Sequence, residues 1–145
     1  MLQVRILSFI SNKNIKFISN KTYDLLRSST AALVTSGTAT LETALFKVPE
    51  VVCYKGSNIS YQIAKRIITL KYISLVNLIM DQEVVTELIQ SECNTKRIKE
   101  ELQKLLEPNH RKKLLEQYDI LEQKLGGIGA SKKTAKLIVA DLKQV

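Results

Sequence analysis

The chain has 145 residues, of which 45% are hydrophobic and 25% charged, and its 22 basic and 14 acidic residues give a formal net charge of +8. That length suffices for one domain with a real core, and the composition excludes a disordered, collagenous or disulfide-dense chain. No apolar run is long enough to span a bilayer, and the basic excess suits a polyanionic partner, although the Lys and Arg residues are spread over polar helix faces, where solvation alone accounts for them.

Residues 1–14 (MLQVRILSFISNKN) read as an irregular start, too polar for a secretion signal and more like a truncated reading frame than the opening of a domain. IKFIS (15–19) suggests a short strand, and KTYDLLRSS (21–29) a short helix that offers Tyr23, Leu25 and Leu26 to a core. AALVTS (31–36) reads as a buried strand. A helix over 38–46 stacks Leu41, Ala44 and Leu45, and Val48-Pro49 ends it. EVVCYK (50–55) is the next expected strand. NISYQIAKRIITL (58–70) has the spacing of a helix capped by Asn58, and YISLVNLI (72–79) reads as a strand running into a loop. From residue 83 the expectation is almost wholly helical: VVTELIQ is a short segment, helices follow over 94–107 and 108–127, the latter stopping at Gly-Gly, and a last one spans 129–145. Strands alternating with helices, then a helical tail, imply an α/β chain with a mainly parallel sheet. The amphipathic tail is expected to need a partner.

VTSGTATLE (34–42) carries the strongest chemical signal. A strand that ends in Ser-Gly-Thr and opens straight into a helix presents the first N–H groups of that helix at the carboxyl edge of the sheet, where an anion such as phosphate is favoured. Gly37 permits close approach, and Ser36 and Thr38 add hydroxyls. Glu42 has Ala39, not Ser or Thr, three residues earlier, so a capping box does not explain it. It shares a helical face with Thr38 and suits the hydroxyls of a ribose, as acidic residues do in dinucleotide folds. The rival account makes SGT a tight turn and Glu42 a surface residue, and the residues alone leave both open. Neither a Walker loop nor a G-x-G-x-x-G fingerprint is present. Cys53 and Cys93 lie far apart in sequence without metal-type spacing and read as free thiols. The single histidine, His110, reads as a solvent-facing helix residue.

The run from SGTATLE through VP, Tyr54-Lys55, YISLVNL (72–78) and VTELIQ (85–90) to LGGIGASKKTAKLI resembles the C-terminal half of bacterial lipid-A-disaccharide synthase. The resemblance covers roughly residues 20–145 and departs at Val76, where the family usually has proline. It implies a single Rossmann-like domain, the C-terminal half of a glycosyltransferase B fold, from an inverting transferase without cofactor or metal. By motif position, Ser36, Gly37, Thr38 and Ala39 would cradle the diphosphate of UDP-2,3-diacylglucosamine and Glu42 its ribose. Asn77 would lie near the donor, or else be a loop-stabilising amide. The acceptor, 2,3-diacylglucosamine 1-phosphate, and the catalytic base belong to an N-terminal domain that is expected to be absent here, so the chain alone is expected to be inactive. The resemblance further implies a cytoplasmic protein at the anionic face of the inner membrane, paired with another copy or with an N-terminal half. The competing readings are a non-catalytic UDP-sugar-binding module and a basic nucleic-acid binder. Scarce aromatics not interleaved with the basic residues argue against nucleic acid.

Overall fold

A computed structural model describes residues 15–16, 18–35, 37–57, 71–126 and 129–142. The start at 1–14, the helix expected over 58–70, and Ser36 lie outside the described residues.

In chain order the elements are α1 (Thr22–Ser28), β1 (Ala32–Thr35), α2 (Thr38–Leu45), β2 (Glu50–Tyr54), α3 (Leu75–Met80), β3 (Thr86–Ile89), α4 (Thr95–Leu106), α5 (Pro108–Lys124) and α6 (Ala130–Leu142). The three strands form an open, all-parallel sheet in the order β1-β2-β3. Val34 pairs with Val52, and Cys53 with Leu88. Val51 and Val52 are consecutive, so they point to opposite faces, yet both are fully buried. Helices therefore cover both faces of the central strand, as parallel sheets require. Ala44 of α2, Val76 of α3, Leu105 of α4, and Leu114, Tyr118 and Leu121 of α5 close the core around β2 and β3. Each fully buried aliphatic side chain of this kind contributes roughly 1.5–3 kcal/mol. This is the α/β, Rossmann-like architecture expected from the sequence.

Several local expectations are corrected. Among the described residues of 15–19 there is neither strand nor helix, and Ile15 and Ile18 are about half exposed; a short apolar run becomes a strand only when a neighbouring ladder takes up its backbone groups. In α1 only Leu26 is buried, while Tyr23 and Leu25 face outward. The Tyr23 ring stacks on Phe46 with centroids 5.2 Å apart. In α2 the buried residues are Thr40, Thr43 and Ala44, and Leu45 is exposed. Burying the threonines is inexpensive because their hydroxyls donate back to the Gly37 and Ala39 carbonyls, both at 2.8 Å.

Residues 75–80, expected to continue a strand, are helical. Ser74 caps this helix by accepting a hydrogen bond from the Asn77 N–H, and Asp81 ends it in the left-handed region. The segment expected to be helical at 84–90 contains β3 instead. The strand is set by its parallel pairing with β2, and it in turn anchors the helix. The Glu87 carboxylate of β3 accepts from the Ile73 and Ser74 N–H groups at 2.9 Å each, fixing the start of α3 against the sheet. The later helices follow the sequence closely. Asn94 caps α4 by accepting from the Arg97 N–H at 3.0 Å, and Pro108 opens α5 at a position where its missing N–H costs nothing.

Candidate functional site

β1, β2 and β3 all end at one edge of the sheet, and the chain passes from Thr35 through Gly37 into α2 there. Gly37 is the residue before the helix and adopts φ 126°, a left-handed conformation that disfavours any residue with a Cβ. A Cβ built there would meet no atom within 4 Å, so glycine is needed for its backbone freedom and not for space. No side chain caps α2, and its first turn carries no acidic residue. The first N–H groups of a helix lack intrahelical partners. Gly37, Thr38 and Ala39 are exposed at the carboxyl edge, whereas the buried Thr40 N–H already donates to the Gly37 carbonyl at 3.2 Å. An anion is the natural complement of such an end.

Glu42 lies one turn along α2 and is half-buried. It borders two clefts between α1 and α2. The larger, of about 620 Å³, is lined by Asn20, Tyr23, Arg27 and Glu42 among others. The smaller, of about 340 Å³, runs between Leu26, Val34, Ala39 and Glu42. Gly37 and Thr38 stand outside both. The site thus has two parts: an exposed helix start suited to phosphate and, beside it, a cleft lined by two carboxylates, Asp24 and Glu42, a guanidinium, Arg27, and the Tyr23 ring. Such a set can accept hydrogen bonds from hydroxyls. Sequence reasoning assigned Tyr23 to the core and did not single out Arg27. Their spacing of four, which puts them on one face of α1, was the signal available. Arg27 also lies over the Phe46 ring, 5.9 Å from its centroid.

Asn77 is elsewhere. It is fully buried, and its Nδ2 donates to the Val85 carbonyl at 2.8 Å and to Glu87 Oε1 at 2.9 Å. Its Oδ1 accepts from the Val84 and Val85 N–H groups at 2.8 and 2.9 Å. Four bonds exhaust a side-chain amide. Of the two roles considered for Asn77, the geometry supports the loop-stabilising amide, and nothing on this side chain remains to meet a donor molecule. A second amide works similarly at the carboxyl edge: Gln90 Oε1 accepts from the Gly56 N–H at 2.8 Å and its Nε2 donates to the Gly56 carbonyl at 3.2 Å. That clamp holds the segment after β2, where exposed Lys55 stands. Among the described residues no three His, Cys, Asp or Glu side chains group as a metal site would require. His110 is exposed on α5.

A family model described as lipid-A-disaccharide synthetase matches residues 2–139. The chain is 40% identical over 102 residues to a lipid-A-disaccharide synthase of Syntrophus aciditrophicus, covering 70% of this chain and 27% of that protein. It is 36% identical over 104 residues to the synthase of Geobacter sulfurreducens, with the same two coverages. Against that of Psychromonas ingrahamii the identity is 49% over 67 residues, or 46% of this chain and 18% of the relative. The chain thus spans about a quarter of the length of the curated relatives it matches.

Proposed function

Because the chain belongs to the lipid-A-disaccharide synthetase family, we propose that it forms the nucleotide-holding part of a glycosyltransferase that moves 2,3-diacylglucosamine from its UDP donor to 2,3-diacylglucosamine 1-phosphate. The observation that carries this reading is the juxtaposition on α2: a Gly37-opened helix start at the carboxyl edge, with Glu42 one turn along beside a cleft. Ser36, Gly37, Thr38 and Ala39 hold the diphosphate through backbone N–H groups and hydroxyls. Glu42 accepts from the ribose hydroxyls, and Arg27 offsets part of the charge of Asp24 and Glu42 at the cleft. As the glycosidic bond to UDP breaks, charge grows on the diphosphate, and preorganised N–H donors stabilise it without reorganising. Inversion also needs a base to take the acceptor hydroxyl proton. We assign that base, with the acceptor site, to the part of the relatives' length that these 145 residues do not span, so the residues described here bind UDP without supplying the base. Asn77 acts only by positioning α3.

Calorimetric titration of UDP into the purified chain tests this directly. UDP is expected to bind, and Glu42→Ala to weaken binding by about 1–3 kcal/mol, the range for a hydrogen-bonding group left unpaired. Unchanged affinity in Glu42→Ala would remove the ribose role, and no detectable binding by the folded wild-type chain would remove the site. Contact with an anionic membrane surface is supported by the net charge of +8, and retention on vesicles containing anionic lipid, weakening with salt, is its test.

A further inference from the structure

A single residue brackets the segment that leaves β2 at the carboxyl edge. β3 pairs with β2 as far as Ile89, opposite Tyr54, and turns away at Gln90. The φ of Gln90 is 51°, in the left-handed region that a residue with a Cβ adopts only at some cost. That turn lets Gln90 extend the ladder with its side chain. Its backbone N–H donates to the Tyr54 carbonyl at 2.8 Å, its Oε1 accepts from the Gly56 N–H at 2.8 Å, and its Nε2 donates to the Gly56 carbonyl at 3.2 Å. The side-chain amide thus stands in for a peptide group of a strand that has already ended. A Cβ added at Gly56 would come within 3.2 Å of the Tyr54 hydroxyl, so the Tyr54 ring lies along the same segment. Between the two anchored residues stands exposed Lys55.

The register places Lys55 beside the start of α2. Thr35 pairs with Cys53, so two residues further along Lys55 stands level with Gly37, the residue that opens the helix. Adjacent strands lie about 4.8 Å apart, a gap that the four-carbon stem of a lysine crosses. Tyr54 and Gly56 both turn their backbone groups toward β3, so the clamp grips the segment from the side away from the β1–α2 junction. We propose that Gln90 is a positioning residue of the nucleotide site: by fixing Tyr54 and Gly56 it holds Lys55 at the start of α2, where the ammonium pairs with the diphosphate of the nucleotide. This role rests on the UDP reading of the site and adds to it a cation and the residue that places that cation. A helix start offers a diphosphate only partial charges, and in the neighbouring cleft Arg27 stands against two carboxylates, Asp24 and Glu42. A further cation is what the site needs. An unanchored segment would lose its freedom on binding, whereas one already tied to Gln90 has little left to lose.

The test is a cycle of calorimetric titrations with UDP on the wild-type chain, Lys55→Ala, Gln90→Ala and the double variant. Each single change is expected to weaken UDP binding roughly tenfold, the scale of a hydrogen bond to a charged group. The double variant is expected to bind no more weakly than Lys55→Ala alone. A merely structural Gln90 would not produce that non-additivity. Losses that multiply in the double variant would overturn the positioning role, as would wild-type affinity in Gln90→Ala. If Glu42→Ala weakens UDP binding while Lys55→Ala leaves it unchanged, the nucleotide reading stands and the role of Lys55 and Gln90 is overturned. If the wild-type chain binds no UDP, both fall together. Should Gln90→Ala fail to fold, Gln90→Gly, which takes the left-handed turn without strain, completes the cycle.

Discussion

Glu50 opens β2 with a side chain that is fully buried, and neither carboxylate oxygen has a hydrogen-bond partner. The buried Tyr118 hydroxyl nearby is also unpartnered, and burial and the Glu50 charge together push it above the ordinary phenol range. Desolvation pushes Glu50 up to about 9 from an ordinary value of 4.5. The folded chain therefore keeps a proton that the unfolded chain releases. Stability from Glu50 is complete below about pH 4.5 and is lost as pH rises toward 9. The urea midpoint is expected to fall across that window, and Glu50→Gln to flatten the fall. Glu50→Leu is expected to stabilise the fold at pH 8 by about 1–3 kcal/mol, the cost of a buried polar group without a partner. A wild-type midpoint that rises with pH while Glu50→Gln stays flat would contradict the assignment.

At the scale of elements, α2 depends on the unusual conformation of the residue before it. Gly37→Ala meets no steric obstacle, so its cost is conformational alone, on the order of 1–2 kcal/mol, and should appear as a lower thermal midpoint. Weaker UDP binding in the same variant would tie that conformation to the site. Much of this organisation was legible in the sequence. Apolar runs marked β1 and β2, Asn94 and Pro108 marked the starts of α4 and α5, and Ser-Gly-Thr marked the strand-to-helix junction. What could not be read depended on long-range partners. The strand character of 86–89 is set by pairing with β2. The helix at 75–80 is set by Ser74 and by Glu87, which lies across the fold. The candidate site was legible only along α2, because Arg27 and Tyr23 come to Glu42 through the docking of α1.

Across the whole molecule, the core gathers around β2, and α6 stands apart from it. Residues 131–142 are all exposed, with Leu137 and Leu142 at 64% and 71%. Replacing both leucines by serine is expected to change the stability of the isolated chain by less than about 0.5 kcal/mol, measured by urea unfolding, as for surface positions generally. A larger loss would mean that this helix packs on the body in solution. Among the described residues no helix is long and apolar enough to cross a membrane.

The knot of Asn77 and Glu87 has a consequence for the rhythm of local opening. The amides of Ile73, Ser74, Val84 and Val85 lie outside every helix and strand, yet each donates to one of these two side chains. Deuterium should enter all four slowly and together, at the pace of a cooperative unit and not that of a fraying loop. In Asn77→Ala, exchange at Val84 and Val85 should quicken first. Four unrelated rates in the wild-type chain would mean that the two segments breathe separately.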